Sequence, residues 1–117
     1  VLHSIVPGMD GLSSLEQHRQ ELRRGTVVLA CLATLREPGY GYGLLETLER
    51  GGFDVQANTL YPLLRRLEQQ GLLTSEWNTE ESRPRKFYRT TADGEAALAA
   101  LRAEWRALST AIDALGA

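Results

Sequence analysis

The sequence predicts a mostly α-helical domain carrying one small β-hairpin. Three observations carry that expectation. Leucines recur at helical spacing through three segments up to Gln70, two β-rich runs then flank a polar loop, and a heptad-spaced apolar stripe runs almost to the C-terminus.

Residues 1–12 contain Pro7, Gly8 and Gly11 without periodicity and read as a flexible arm. Ser13 or Ser14, each followed three residues later by Glu16 or Gln17, has the spacing of a capping box, so the first helix is expected to begin there. It runs to Arg36 with Leu15, Leu22, Leu29, Leu32 and Leu35 along it, Gly25 as a candidate kink and Pro38-Gly39 as its stop. A short second helix covers 42–50, with Leu44, Leu45 and Leu48 inward and Gly51-Gly52 ending it.

The third helix starts at about Gln56 or Asn58 and ends at Gln70, before Gly71. Leu60, Leu63, Leu64 and Leu67 follow the i, i+3, i+4, i+7 pattern, and Pro62 fits only near the first turn, which leaves the start open. Runs 72–77 and 86–90 form the hairpin around the polar loop 78–85. Thr91 caps the last helix, with Asp93 and Glu95 in its first turn. Three helices, a hairpin and a closing helix describe a winged helix-turn-helix over 13–91 followed by a C-terminal dimerisation helix over 92–117. A generic α+β domain shares this order.

A chain of 117 residues supports one domain, and 43% hydrophobic with 24% charged residues is an ordinary folded mix. No apolar run approaches the roughly 20 residues of a membrane span. The first residues lack a basic segment ahead of a long apolar one, so no signal peptide is read and the cytoplasm is the expected compartment. Cys31, the single cysteine, lies in an apolar run as a small buried hydrophobe or, alternatively, a redox thiol. His3 and His18 are the only histidines and stand in no ligand cluster, so no metal or catalytic site is expected. The Gly39-Tyr40-Gly41-Tyr42-Gly43 run follows a helix rather than a strand, unlike a phosphate-cradling loop. Neither an enzyme nor a cofactor is read.

The net charge of −2 weighs against nucleic acid, but its distribution tempers the objection: residues 58–89 carry +2 and the remainder −4. With its leucines buried, the third helix leaves Asn58, Thr59, Tyr61, Pro62, Arg65, Arg66 and Gln69 outside. Asn58 either serves base edges or caps the helix. Thr59 and Tyr61 offer hydroxyls to phosphates, and Arg65 or Arg66 reaches guanine or backbone oxygens. The same face also suits ordinary solvated pairing. Arg83, Arg85 and Lys86 around Pro84 make a cationic turn, Arg89 follows on the strand, and Glu80 and Glu81 lower the local field.

The segments Leu22-Arg23-Arg24-Gly25-Thr26, Tyr40-Gly41-Tyr42-Gly43 and 58–68 (Asn-Thr-Leu-Tyr-Pro-Leu-Leu-Arg-Arg-Leu-Glu), with Gly71-Leu72-Leu73, the strand 85–91 and Gly94, together resemble the PadR family over roughly residues 20–115. That resemblance implies a dimeric repressor of a palindromic double-stranded DNA operator, with Tyr42, Thr59, Tyr61 and the wing cations near DNA. Two departures stand out: the turn 37–40 is short, and Asn58 replaces a glycine common in the family.

Leu98, Leu101, Trp105, Leu108, Ile112 and Leu115 are spaced 3, 4, 3, 4, 3, a coiled-coil seam. A second subunit is its natural partner, giving a homodimer; packing on the first helix of the same chain is the alternative. In the short multidrug-binding members that the sequence resembles, a Trp at the position of Trp105 faces its two-fold mate across a pore. The resemblance therefore implies a small planar aromatic or hydrophobic effector there, against the simpler reading that Trp105 fills the interface. A winged-helix protein–protein interaction module without DNA binding is the competing function.

Overall fold

The computed structural model describes residues 7–80 and 82–117, with side chains from Ser13 onward. Its elements are α1 (Pro7–Thr34), β1 (Gly39–Tyr40), α2 (Gly41–Arg50), α3 (Ala57–Gln69), β2 (Leu73–Asn78), β3 (Arg85–Thr90) and α4 (Ala92–Leu115). The expected arm falls partly on residues 1–6, which, with His3 and Glu81, lie outside the described residues. Its remainder corrects the expectation, because α1 already begins at Pro7, ahead of both candidate caps. Proline suits a first helical position, where its missing N–H would have had no partner anyway. Gly25 does not divide the helix either: α1 runs through it, and an added Cβ there would meet nothing within 4 Å.

Leucines make the core. Leu32, Leu35, Leu60, Leu64, Leu67 and Leu73 are almost wholly buried, together with Cys31. All four periodic leucines of α3 are among the buried residues, so the 3.6-residue pattern decides which face turns inward. Each such side chain contributes roughly 1.5–3 kcal/mol on burial.

The hairpin is part of a three-stranded antiparallel sheet in the order β1-β3-β2. The extra strand is Gly39–Tyr40, pairing with Tyr88 and Phe87. Sheet and helices are locked at Thr90. Its N–H donates to the Leu35 carbonyl at 2.8 Å and its hydroxyl to the Leu32 carbonyl at 2.7 Å, satisfying acceptors at the C-terminal end of α1 that have no helical partner. Thr91 then caps α4 as expected, its Oγ1 accepting from the Gly94 N–H at 2.9 Å and donating to the Gly71 carbonyl at 2.7 Å. Gly94 itself packs on the Leu72 carbonyl so closely that a Cβ would collide with backbone.

Of the two roles open to Asn58, capping falls away: Gln56 occupies the N-cap, and Pro62 lies in the second turn rather than near the first. Pro62 lacks the N–H that would bond the carbonyl of Asn58, but Asn58 is exposed, so water can meet that acceptor.

Candidate nucleic-acid interface

Alternation along β3 sorts the wing cations. Paired residues share a face, so Ser75, Trp77, Lys86 and Tyr88 lie on one side of the hairpin, and Asn78, Arg85, Phe87 and Arg89 on the other with Tyr40. Lys86 therefore turns toward α3, where its Nζ donates to Glu68 Oε1 at 3.3 Å. Ser75 Oγ donates to the other oxygen of Glu68 at 2.5 Å. These two donors outweigh partial burial and hold the Glu68 carboxyl below its usual range, the Ser75 bond contributing most. Lys86 is thus half-buried and paired, not a freely projecting wing cation. Burial pushes the Tyr88 hydroxyl up, offset in part by Lys86.

On the other face, the Arg85 guanidinium lies 4.1 Å over the Tyr40 ring. Tyr40 also packs edge-on against Phe87 and accepts from Asn78 Nδ2 at 2.6 Å. Asn78 and Arg85 are cross-strand partners at the base of the loop, so one tyrosine grips both of its ends. Arg83 and Arg89 are exposed.

The outward residues of α3 divide into two stripes. Tyr61 and Arg65, with Asn58 one turn earlier, lie on the side of the sheet; both Tyr61 and Arg65 act electrostatically on Tyr88. Thr59, Pro62 and Arg66 instead line a cleft against α1. Tyr42 is exposed at the start of α2, and Gly41 beside it is buried under Tyr61. The structure thus sets Tyr61 and Arg65 near Tyr88 of the sheet and Thr59 and Arg66 toward α1, with Arg85 and Arg89 on the hairpin face turned away from Glu68.

Sequence reasoning missed Tyr40 and the Glu68–Ser75 pair. Tyr40 had a signal only in its place within Tyr40-Gly41-Tyr42-Gly43, because its partners lie some 40 residues away. Along α4, Leu98 is buried in the chain's own core, whereas Leu101, Trp105, Leu108, Ile112 and Leu115 are exposed. Among the described residues, no group of three or more His, Cys, Asp or Glu is placed to hold a metal ion. No described helix is long and apolar enough to cross a membrane.

A three-helix core with a recognition-type helix beside a twisted hairpin defines the winged helix-turn-helix class. Residues 28–100 match the transcriptional regulator PadR-like family, and the chain belongs to that family. The fold is similar to the crystal structure of a PadR family transcriptional regulator from Eggerthella lenta, at 48% identity and a TM-score of 0.88, covering 92% of this chain and 96% of that one. It is also similar to a PadR-like transcription factor from Bacteroides fragilis, at 32% identity and a TM-score of 0.72, covering 85% of this chain and 98% of that one. The transcriptional regulator Rv3488 of Mycobacterium tuberculosis is 48% identical over 59 residues, half of this chain and 55% of that protein. The chain thus spans about half the length of this curated relative. Each of these relatives is described as a transcriptional regulator or transcription factor.

Proposed function

We propose that the chain is a sequence-specific DNA-binding transcriptional regulator acting as a homodimeric repressor. Asn58, Tyr61 and Arg65 read base edges in the major groove, Tyr42 and Thr59 hold phosphates beside them, and Arg83, Arg85 and Arg89 track the backbone along the wing. The observation that carries this reading is the exposed Asn58–Tyr61–Arg65 stripe lying on the same side as the wing. Lys86 shapes the wing through Glu68, and Arg66 has a minor part. Membership in the PadR-like family and the likeness to its solved members support the assignment.

The exposed apolar stripe on α4 supports dimerisation, since five large side chains in water favour a second copy. Two copies suit a palindromic operator. Trp105 stands mid-stripe at 53% exposure, and the effector reading places a planar hydrophobic molecule between two such rings, releasing the operator.

Titrating the chain against DNA from its own promoter over a range of salt tests this function. A steep fall in affinity with salt is expected, because phosphate contacts release counterions. Absent or salt-insensitive binding would overturn it in favour of a protein-interaction module. Quenching of Trp fluorescence by a planar dye, lost in Trp105→Ala, tests the effector site.

A further inference from the structure

We infer that the cleft between α1 and α3 is a binding site for a small amphiphilic anion, an acidic head group joined to an apolar body. The cleft measures about 470 Å³, within the size of typical ligand pockets. Its rim carries Arg23 and Arg24 from α1 and Arg66 from α3, against a single carboxylate, Asp54. That local excess of positive charge stands in a chain whose net charge is −2.

The arginines are not used up by the protein. Among the described residues, neither Arg24 nor Arg66 forms an ion pair, and Arg23 reaches only Glu16, at 3.8 Å. Beneath them the floor is apolar, formed by the buried side chains of Val27 and Leu63. A cationic rim over an apolar floor matches a molecule with the opposite layout, since guanidinium groups bind carboxylate or phosphate in paired hydrogen bonds. An uncharged molecule brings the rim no charge to pair with. A bare inorganic ion gains nothing from the floor.

Position gives the cleft a second property. Thr59, Pro62 and Arg66 line it on the same helix whose neighbouring stripe reads DNA in the proposed function. A bound anion holds Arg66 against α1 and biases the placement of α3, so ligand and operator affect each other's affinity by one factor. This coupling rests on the DNA-binding reading. The site itself does not.

Calorimetric titration of the full chain with octanoate, against octanol as a neutral body and inorganic phosphate as a bare head, tests the site. Octanoate is expected to bind saturably and at least about tenfold more tightly than either control, and Arg24→Gln to weaken it about tenfold. Trp105→Ala should leave that affinity unchanged, separating the cleft from the α4 stripe. Lack of saturation, as when the helix of a second copy fills the cleft, overturns the proposal. So does an affinity indifferent to both Arg24→Gln and Arg66→Gln. Operator titration with and without octanoate then reads the coupling: a severalfold change supports it and an unchanged Kd removes it. A chain that binds octanoate through Arg24 but binds no promoter DNA overturns the proposed function while the anion site stands.

Discussion

The Tyr40 hydroxyl accepts a hydrogen bond from Asn78 Nδ2 at 2.6 Å, which ties the base of the wing to the residue just ahead of α2. The same ring lies under Arg85 and against Phe87. Tyr40→Phe removes the hydrogen bond and keeps both ring contacts. It should cost about 0.5–1.5 kcal/mol of stability, speed amide exchange at the hairpin base, and weaken operator binding several-fold. Unchanged exchange at Asn78 and Arg85 would show that the hydroxyl does not hold the wing.

Gly41 and Tyr61 pack so closely that a Cβ on Gly41 would stand 2.5 Å from Tyr61 Cε1 and 3.0 Å from Cζ. Gly41→Ala must therefore push the Tyr61 ring aside. Replacing a helical glycine contributes up to about 1 kcal/mol the other way, so the melting temperature moves less than DNA affinity does. A double-mutant cycle isolates the effect. The loss in operator affinity on Gly41→Ala should vanish in a Tyr61→Ala background, and a loss that persists would place the cause elsewhere.

Acid should loosen the contact between α3 and the wing. Ser75 and Lys86 both stabilise the ionised Glu68, so its folded-state pKa is depressed. A depressed carboxylate contributes stability above its unfolded value, about 4.3, and loses it as pH falls through the lower folded value. Chemical denaturation from neutral pH into acid should show the wild type losing its advantage over Glu68→Gln across that window. A difference between the two chains that does not change with pH would refute the assignment.

The parts legible in the sequence are those set by local periodicity. Leu60, Leu63, Leu64 and Leu67 turn inward because helix geometry places them on one face, and Thr91 caps α4 because its hydroxyl is three residues from the N–H it accepts. What was not legible depended on distant partners. Two residues, Gly39 and Tyr40, show no alternation, and only their pairing with β3 makes them a strand. Lys86 looked like a wing cation by composition. Its side of the strand follows from the register, and Glu68 on α3 then claims it. Likewise the polar face of α3 read as one surface until α1, packed beside Thr59 and Arg66, divided it.

Cys31 should be inert in the native protein. Its side chain is fully buried, and burial pushes the thiol up to about 12, so almost none of it is thiolate at neutral pH. Alkylation by iodoacetamide is expected only as fast as the core opens, rising steeply with denaturant. Rapid stoichiometric labelling of the folded chain would contradict this and revive a redox role.

The α4 stripe offers the most direct perturbation of assembly. Leu108 and Ile112 are 54% and 66% exposed within one chain, so Leu108→Asp with Ile112→Asp should leave the winged-helix core intact. In a dimer the same substitutions bury two carboxylates per subunit without partners, at a cost of several kcal/mol. The double variant should keep wild-type circular dichroism, run at half the mass in light scattering, and bind a full palindrome no better than a single half-site. That last comparison matters most, because the gain from two half-sites comes from linking two readers, not from any new contact to DNA. A variant that stays dimeric would place the interface elsewhere, leaving the exposed stripe without its assigned partner.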